Sequence, residues 1–448
     1  MENRNNDFLN GAILSPLLRF AGPVLLALFL QAMYGAVDLI VVGKFAGTAD
    51  ISAVSTGSQA MQLVTSLLVG LTTGVTVLLG QKIGEGKPDE AGSVVGSTIC
   101  LFVCVALALT ALLTVLTEPF CRLLQAPEEA FVPTTQYVRI CSAGTLFIVA
   151  FNVIGSVFRG LGDSKMPLIT VAIACVTNIF GDLLLVDVFQ MGAVGAALAT
   201  VFAQAVSVIL SLFVIMRRRL PFTFRKEQLR FDRPLTAGIL RLGIPIALQD
   251  VLVGVSFLVI LAIVNSLGLL QSAGMGIAEK VCAFVMLLPS AFSQSVSAFV
   301  AQNTGAGKPE RAKKALRYSV AVSLSISVFV FYFNFFHGDL LAGIFANDRA
   351  VVLEAADYLK AYAIDCLLTS FLFCFVGYFS GLGKTVFVMA QGILGAFGVR
   401  IPVSFAMSRL PNVRLFYIGL ATPCSTVVQV LLCLGYYAHL ARRERTAR

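Results

Sequence analysis

The chain has 448 residues, 58% of them hydrophobic and only 13% charged, and its mean hydropathy is +0.88. Soluble globular domains carry about 25% charged residues, so a soluble enzyme or a solvated binding module is excluded and the chain reads as an integral membrane protein. The formal net charge of +9 is explained by where lysine and arginine fall around the membrane segments, and no nucleic-acid partner is expected.

Crossing the hydrocarbon takes roughly 20 apolar residues per helix. Twelve segments qualify: 17–42, 53–80, 92–116, 133–157, 167–188, 192–216, 237–266, 275–301, 315–336, 358–380, 385–408 and 414–440. The start of the chain is polar, and its first apolar run is too long for a cleaved signal, so the first span is expected to be its own targeting signal. With the N-terminus inside, 24 of the 33 lysines and arginines fall on cytoplasmic segments or span ends. This bias puts both termini in the cytoplasm of a multi-pass plasma-membrane (cell inner membrane) protein. The densest basic stretch, 217–236, contains Arg217-Arg218-Arg219-Leu220-Pro221 and is expected to be a cytoplasmic linker near anionic headgroups.

Much of the chain is written twice, 221 residues apart. Gln81-Lys82-Ile83-Gly84-Glu85-Gly86-Lys87-Pro88 returns as Gln302-Asn303-Thr304-Gly305-Ala306-Gly307-Lys308-Pro309, and Arg159-Gly160-Leu161-Gly162 as Ser380-Gly381-Leu382-Gly383. Tyr137-Val138-Arg139 returns as Tyr358-Leu359-Lys360, and Leu18-Arg19-Phe20-Ala21-Gly22-Pro23, one residue out of step, as Leu240-Arg241-Leu242-Gly243-Ile244-Pro245. The fold expected is an all-α integral membrane protein of twelve transmembrane helices in two six-helix lobes related by a pseudo-twofold axis. The N-lobe would be 1–216, the linker 217–236 and the C-lobe 237–448. Six spans per copy is an even number, so both lobes insert the same way round, as in parallel-repeat transporters.

Enzyme chemistry finds little to work with. The two histidines, His337 and His439, sit at span ends, and the ten cysteines are scattered without a CxxC pair. Cys100 and Cys104 share a helix face but have no nearby histidine, and read as core thiols. The Gly84-Glu85-Gly86-Lys87-Pro88 turn lacks the Gly-x4-Gly-Lys-[Ser/Thr] spacing of a phosphate loop and follows a membrane helix. It reads as a helix–helix turn. No catalytic residues, metal or cofactor are expected beyond a coupling ion.

Charges inside a span cost several kcal/mol unless paired or hydrated, which makes them functional candidates. Asp38 lies in span 1 and Asp182 in span 5, with Asn178 one turn before Asp182 and on the same face. At 1.5 Å per residue, Asp38, Asp182, Thr200 and Asn178 fall roughly 8, 10, 12 and 17 Å below the outer end of their spans. Three helices thus bring oxygen ligands to similar depth, a set suited to Na⁺ or to a proton held between two carboxylates. In the second half, Asp365 in span 10 and Arg400 in span 11 are expected to form a structural ion pair, with a second cation site as the competing reading. Asp250 in span 7 is a secondary acid candidate.

Several of these motifs together resemble the multidrug and toxic compound extrusion (MATE) transporters over essentially the whole chain. They are Gln31-Ala32-Met33-Tyr34-Gly35-Ala36-Val37-Asp38 in span 1, Gln302 to Pro309, Phe158-Arg159-Gly160-Leu161-Gly162-Asp163, Asn178-Ile179-Phe180-Gly181-Asp182, and Gly195-Ala196-Ala197-Leu198-Ala199-Thr200. The resemblance implies a central cleft and antiport of Na⁺ or H⁺ against amphipathic, often cationic drugs; a monomer is expected. It implies a cation site at Asp38, Asn178, Asp182 and Thr200, a helix-bending proline at Pro23, and cleft-lining residues Gln31, Tyr34 and Asn152. The alternative function is a lipid-linked sugar flippase of the same superfamily; twelve spans and an acidic N-lobe count against it.

Overall fold

The structure, a computed structural model, describes residues 8–446 apart from 125, 218, 219, 221 and 223, with the backbone alone at 445. The extreme termini, and Arg218, Arg219 and Pro221 of the basic 217–236 stretch, therefore lie outside the described residues. All regular structure among the described residues is helical. In order the helices are α1 (Leu14–Phe45), α2 (Thr48–Gly84), α3 (Pro88–Val115), α4 (Thr117–Leu123), α5 (Phe131–Ala143), α6 (Thr145–Gly160), α7 (Lys165–Asp182), α8 (Gly192–Arg217) and α9 (Arg233–Asn265). They continue as α10 (Leu269–Val285), α11 (Leu287–Gly305), α12 (Pro309–Phe336), α13 (Gly338–Gly343), α14 (Arg349–Gly381), α15 (Thr385–Ile393), α16 (Ile401–Met407), α17 (Leu415–Gly419) and α18 (Ala421–Thr446).

Among the described residues eleven helical segments are long and apolar enough to cross a membrane, and a twelfth is made by a bent pair. Side chains such as Leu107, Phe202 and Ile209 are left exposed, as lipid-facing positions require. The bent pair is the fourth span expected over 133–157. α5 and α6 meet at Gly144 with a 55° bend. A Cβ on Gly144 would fall 2.5 Å from Val201, so the absent side chain lets the bend press against α8. The short helices α4 and α13, which hydropathy does not separate, begin 221 residues apart and belong to the same internal repeat.

The repeated glycine motifs turn out to be helix stops of one design. After α2, Lys87 N–H donates to the Lys82 carbonyl and Gly86 N–H to that of Ile83; after α11, Lys308 donates to Asn303 and Gly307 to Thr304. Gly86 and Gly307 have φ of 70° and 66°, a left-handed conformation in which glycine carries no steric penalty. This is the paired 6→1 and 5→2 bonding of a Schellman cap. The Phe158–Asp163 and Phe379–Lys384 turns have the same two bonds. Around the first turn, Lys87 ion-pairs with Glu85 at 3.0 Å and with Glu90 at 3.3 Å. The hydrogen bond to Glu85 is the main reason its ammonium is held above the usual lysine range.

By contacts the chain forms two compact units. One comprises the described residues up to Gly11, Leu18–Ala247 and Ala301–Lys308; the other comprises Ala12–Leu17, Leu248–Val300 and the described chain from Pro309 onward. The division falls inside α9, not in the basic linker. The first half of α9 stays with the first unit because glycines let it touch α2. A Cβ on Gly70 would fall 2.5 Å from Ala247 N, and one on Gly74 2.8 Å from Gly243 N. The described part of the linker is docked on this unit as well. Phe222 is buried, Gln228 Nε2 donates to the Asp89 carbonyl at 3.1 Å, and the Gln228 side chain would lie within 2.7 Å of a Cβ on Gly92.

Small residues also set the α7–α8 contact, which matters most for the site. A Cβ on Gly181 would sit 2.9 Å from Ala199 Cβ, and one on Gly195 3.1 Å from the Leu185 backbone. Small residues at such crossings let membrane helices approach by packing alone. Gly181→Leu is therefore expected to overpack the crossing and to lower stability by about 1–3 kcal/mol. A thermal melt in detergent against the parent and Gly181→Ala checks this, with the smaller side chain giving the smaller loss.

Candidate functional site

α1, α7 and α8 bring the expected first-unit residues together. Asn178 Nδ2 donates to Thr200 Oγ1 at 3.4 Å, and the Thr200 hydroxyl donates to Asp38 Oδ2 at 3.3 Å. Asp182 faces Asp38 closely enough for a carboxyl–carboxyl hydrogen bond when one of them carries a proton. Asp38 is 5% exposed, Asn178 1% and Asp182 0%. Because Asn178 spends its NH₂ on Thr200, its carbonyl oxygen is left over. Asp38 Oδ1, Asn178 Oδ1 and both Asp182 carboxylate oxygens are buried with no donor among the described residues. Buried oxygens without donors are costly. Four of them converging from two helices make a site that a hard cation or a proton stabilises and little else does.

Local backbone geometry aims these groups. α7 passes directly after Asp182 into a π-helical turn, Leu183–Val188. One extra residue per turn shifts the side-chain register there, and such turns are frequent at functional sites. Asp50 ties the start of α8 in place by accepting from Ala193 N–H at 2.9 Å.

The other expected residues are placed as follows. Pro23 lies within α1, which continues through it. Gln31, Tyr34 and Asn152 are half-buried. Asn152 donates to its own helix at the Ile148 carbonyl, 2.8 Å away. Tyr34 neighbours Gln204 on α8, a residue the sequence reading passed over. Gln204 lies one turn beyond Thr200 on the same face, is buried, and has an Oε1 without a donor. Its i+4 spacing from Thr200 was the available signal. Tyr137, noted only as a repeat landmark, is buried and close enough to Asp38 and Asp182 to feel their charge.

In the second unit the direct Asp365–Arg400 ion pair is not formed. Arg400 Nη1 donates to Ser256 Oγ at 3.2 Å, and its guanidinium lies 4.5 Å from the centroid of the Phe257 ring. The Thr426 hydroxyl near Asp365 donates to the Thr422 carbonyl at 3.1 Å, and Asp365 interacts with Arg400 only through space. Arg400 Nε and Asp365 Oδ1 both lack a hydrogen-bond partner among the described residues. The physical reason is that α9 holds the arginine: a hydroxyl and an aromatic face on adjacent residues, Ser256 and Phe257, take the guanidinium away from Asp365. Asp250, half-buried on α9, makes no side-chain hydrogen bond or ion pair among the described residues.

Carboxylates buried within spans mark ion and proton pathways, and with an all-helical, duplicated fold they fit the class of membrane transporters. The profile of the MatE family matches the chain twice, over residues 23–184 and 245–406. The chain belongs to that family, the multidrug and toxic compound extrusion transporters. The two matched stretches begin at Pro23 and Pro245, the pair that stands one residue out of step with the 221-residue repeat. The chain is 29% identical over 417 residues to the probable multidrug resistance protein YpnP of Bacillus subtilis (strain 168), covering 92% of this chain and 90% of the relative. It is 25% identical over 436 residues to the probable multidrug resistance protein YoeA of the same organism, covering 96% and 94%. The fold matches a crystal structure of MATE in complex with MaL6 at a TM-score of 0.93, with 18% identity and coverage of 99% and 100%.

Arg400→Met is expected to destabilise the protein, since it removes a donor to Ser256 and a charge that offsets buried Asp365, and Ser256→Ala to do so less. If Ser256 acts through Arg400, the double variant melts no lower than Arg400→Met alone. Additive losses in a thermal-shift cycle would show that Ser256 supports something else.

Proposed function

We propose that the chain is a multi-pass plasma-membrane antiporter that exports amphipathic, often cationic compounds and is driven by inward movement of Na⁺ or H⁺ through the Asp38, Asn178, Asp182 and Thr200 cluster. The observation that carries this is the set of four buried oxygens without donors, two of them on Asp182. In water-poor surroundings two facing carboxylates repel strongly unless a proton or a cation lies between them. Occupancy by the coupling ion therefore stabilises the cluster, and its loss favours rearrangement of α1, α7 and α8. An elementary charge moving inward contributes about 2.3 kcal/mol per 100 mV, so net charge movement per exported molecule decides how much of the membrane potential is used.

Gln31, Tyr34 and Asn152 are assigned to substrate contact. Tyr34 is the best supported of them, because it neighbours Gln204 on the helix that carries Thr200. The names of the curated relatives, probable multidrug resistance proteins, support efflux of drug-like compounds. The protein is expected to act as a monomer in the bilayer, with no nucleic-acid partner.

Asp38→Asn and Asp182→Asn should each abolish gradient-driven efflux of a fluorescent cationic dye from proteoliposomes while insertion stays intact. Asparagine keeps size and hydrogen bonding but removes the charge. Asn178→Ala and Thr200→Ala should weaken coupling less, as each removes a neutral ligand. Parental pumping by a well-expressed Asp38→Asn, Asp182→Asn double variant would rule out this site. Imposing Na⁺ and pH gradients separately identifies the ion.

The topology has its own check. Gln228→Cys in a cysteine-free background should resist a membrane-impermeant thiol reagent applied outside intact cells and react once the membrane is opened. Labelling from outside would reverse the proposed orientation.

A further inference from the structure

The repeated Gln-x-x-Gly motif does more than end two helices. In the first unit its two copies meet face to face. A Cβ on Gly84 would collide with the Gln302 carbonyl oxygen, lying 2.8 Å from Gln302 C and 3.0 Å from Ala306 N. A Cβ on Gly305 would collide with the Gln81 carbonyl oxygen, lying 2.7 Å from Gln81 C and 2.9 Å from Gln81 Cα. The glycine of each copy thus rests on the glutamine backbone of the other. Neither glycine has a positive φ. The helical backbone at both positions accepts alanine, which is the better helix former by roughly 1 kcal/mol. Glycine is needed here for the approach of α2 to α11, not for the turn.

Neighbouring contacts close around this crossing. Gln302 Nε2 donates to the Gly160 carbonyl at 2.9 Å, Asn303 Nδ2 to the Phe8 carbonyl at 3.1 Å, and Lys308 Nζ to the Leu9 carbonyl at 2.8 Å. Gln302 and Asn303 are 2% and 0% exposed. The second copy of the motif is therefore gripped by the end of α6 and by the chain preceding α1.

We propose that the reciprocal Gly84–Gln302 and Gly305–Gln81 contact is a lock that holds the linker-side ends of α2 and α11 together. A transporter that opens toward that side has to break it. The duplicated sequence builds the lock by supplying both halves from one motif. That the lock must open during transport rests on the antiport reading; the lock itself does not. Opening would expose the two glutamine carbonyls to water, and closing re-buries them against glycine, so the device is reversible without a charged latch.

Spin labels at Glu85→Cys and Ala306→Cys, in a background with the ten native cysteines replaced, read the lock directly in nanodiscs. The otherwise parental protein should show a short-distance population. Gly84→Ala and Gly305→Ala should each shift population to longer distances, and by similar amounts, because each adds one methyl to the same crossing. The double variant should shift little further. Gly86→Ala strains the neighbouring turn but meets no atom within 4 Å, and should leave the distance unchanged. Unchanged distributions in the folded alanine variants, or the same shift from Gly86→Ala, would overturn the lock. So would a long distance in the protein with Gly84 and Gly305 intact, which needs no further variant to fold. Failure of the coupling reading appears elsewhere, as dye efflux that survives loss of Asp38 and Asp182.

Discussion

Two carboxylates face each other in the interior of a membrane-spanning helix cluster, and no donor answers three of their four oxygens. The rest of the first unit can be understood as the means of keeping them there. A buried carboxylate would otherwise recruit a hydroxyl, an amide or an arginine, and Thr200 satisfies only one oxygen, Asp38 Oδ2. On the proposed reading, the stability given up is recovered when a cation or proton enters, which would tie ion occupancy to the packing of three helices. An apolar interior with the same shape would be more stable and would have nothing to couple.

That packing depends on small residues. α7 and α8 approach through Gly181, Ala199 and Gly195, and only this separation lets an asparagine side chain on one helix reach a threonine on the other. In lipid there is no hydrophobic force between helices to compensate for a poor fit. A glycine at a crossing is consequently as much part of the site as the carboxylates are. The same device recurs where Gly70 and Gly74 receive α9 and where Gly84 and Gly305 meet the opposite backbone. In each case the absent side chain is what permits the contact.

The second unit carries charges under a different arrangement. Arg400 ends a π-helical turn, Leu394–Arg400, as Asp182 precedes one, so both units place an intramembrane charge at a break in helical register. In the second unit, however, the guanidinium is held by Ser256 and Phe257, and the nearby acid, Asp365, interacts with it only through space. Duplication supplied two similar frameworks, and later substitution gave them different contents.

Apolar run length, basic asymmetry and the 221-residue repeat were enough to establish a duplicated membrane transporter, because the bilayer allows few ways to satisfy a backbone and charges the intervening loops by side. The cluster at Asp38, Asn178, Asp182 and Thr200 was legible for the same reason: intramembrane charges are rare, and helical rise converts residue number into depth. Depth along a span does not say which way a side chain turns, so Gln204 and Tyr137 were missed. Nor could it say that Arg400 would prefer Ser256 and an aromatic face over Asp365. The bend at Gly144, the docking of the linker on α3 and the meeting of the two glycine motifs were likewise invisible in the sequence. Each is decided by the distance between helices, and that distance is set by which glycine happens to stand opposite which backbone, a relation between residues far apart in the chain.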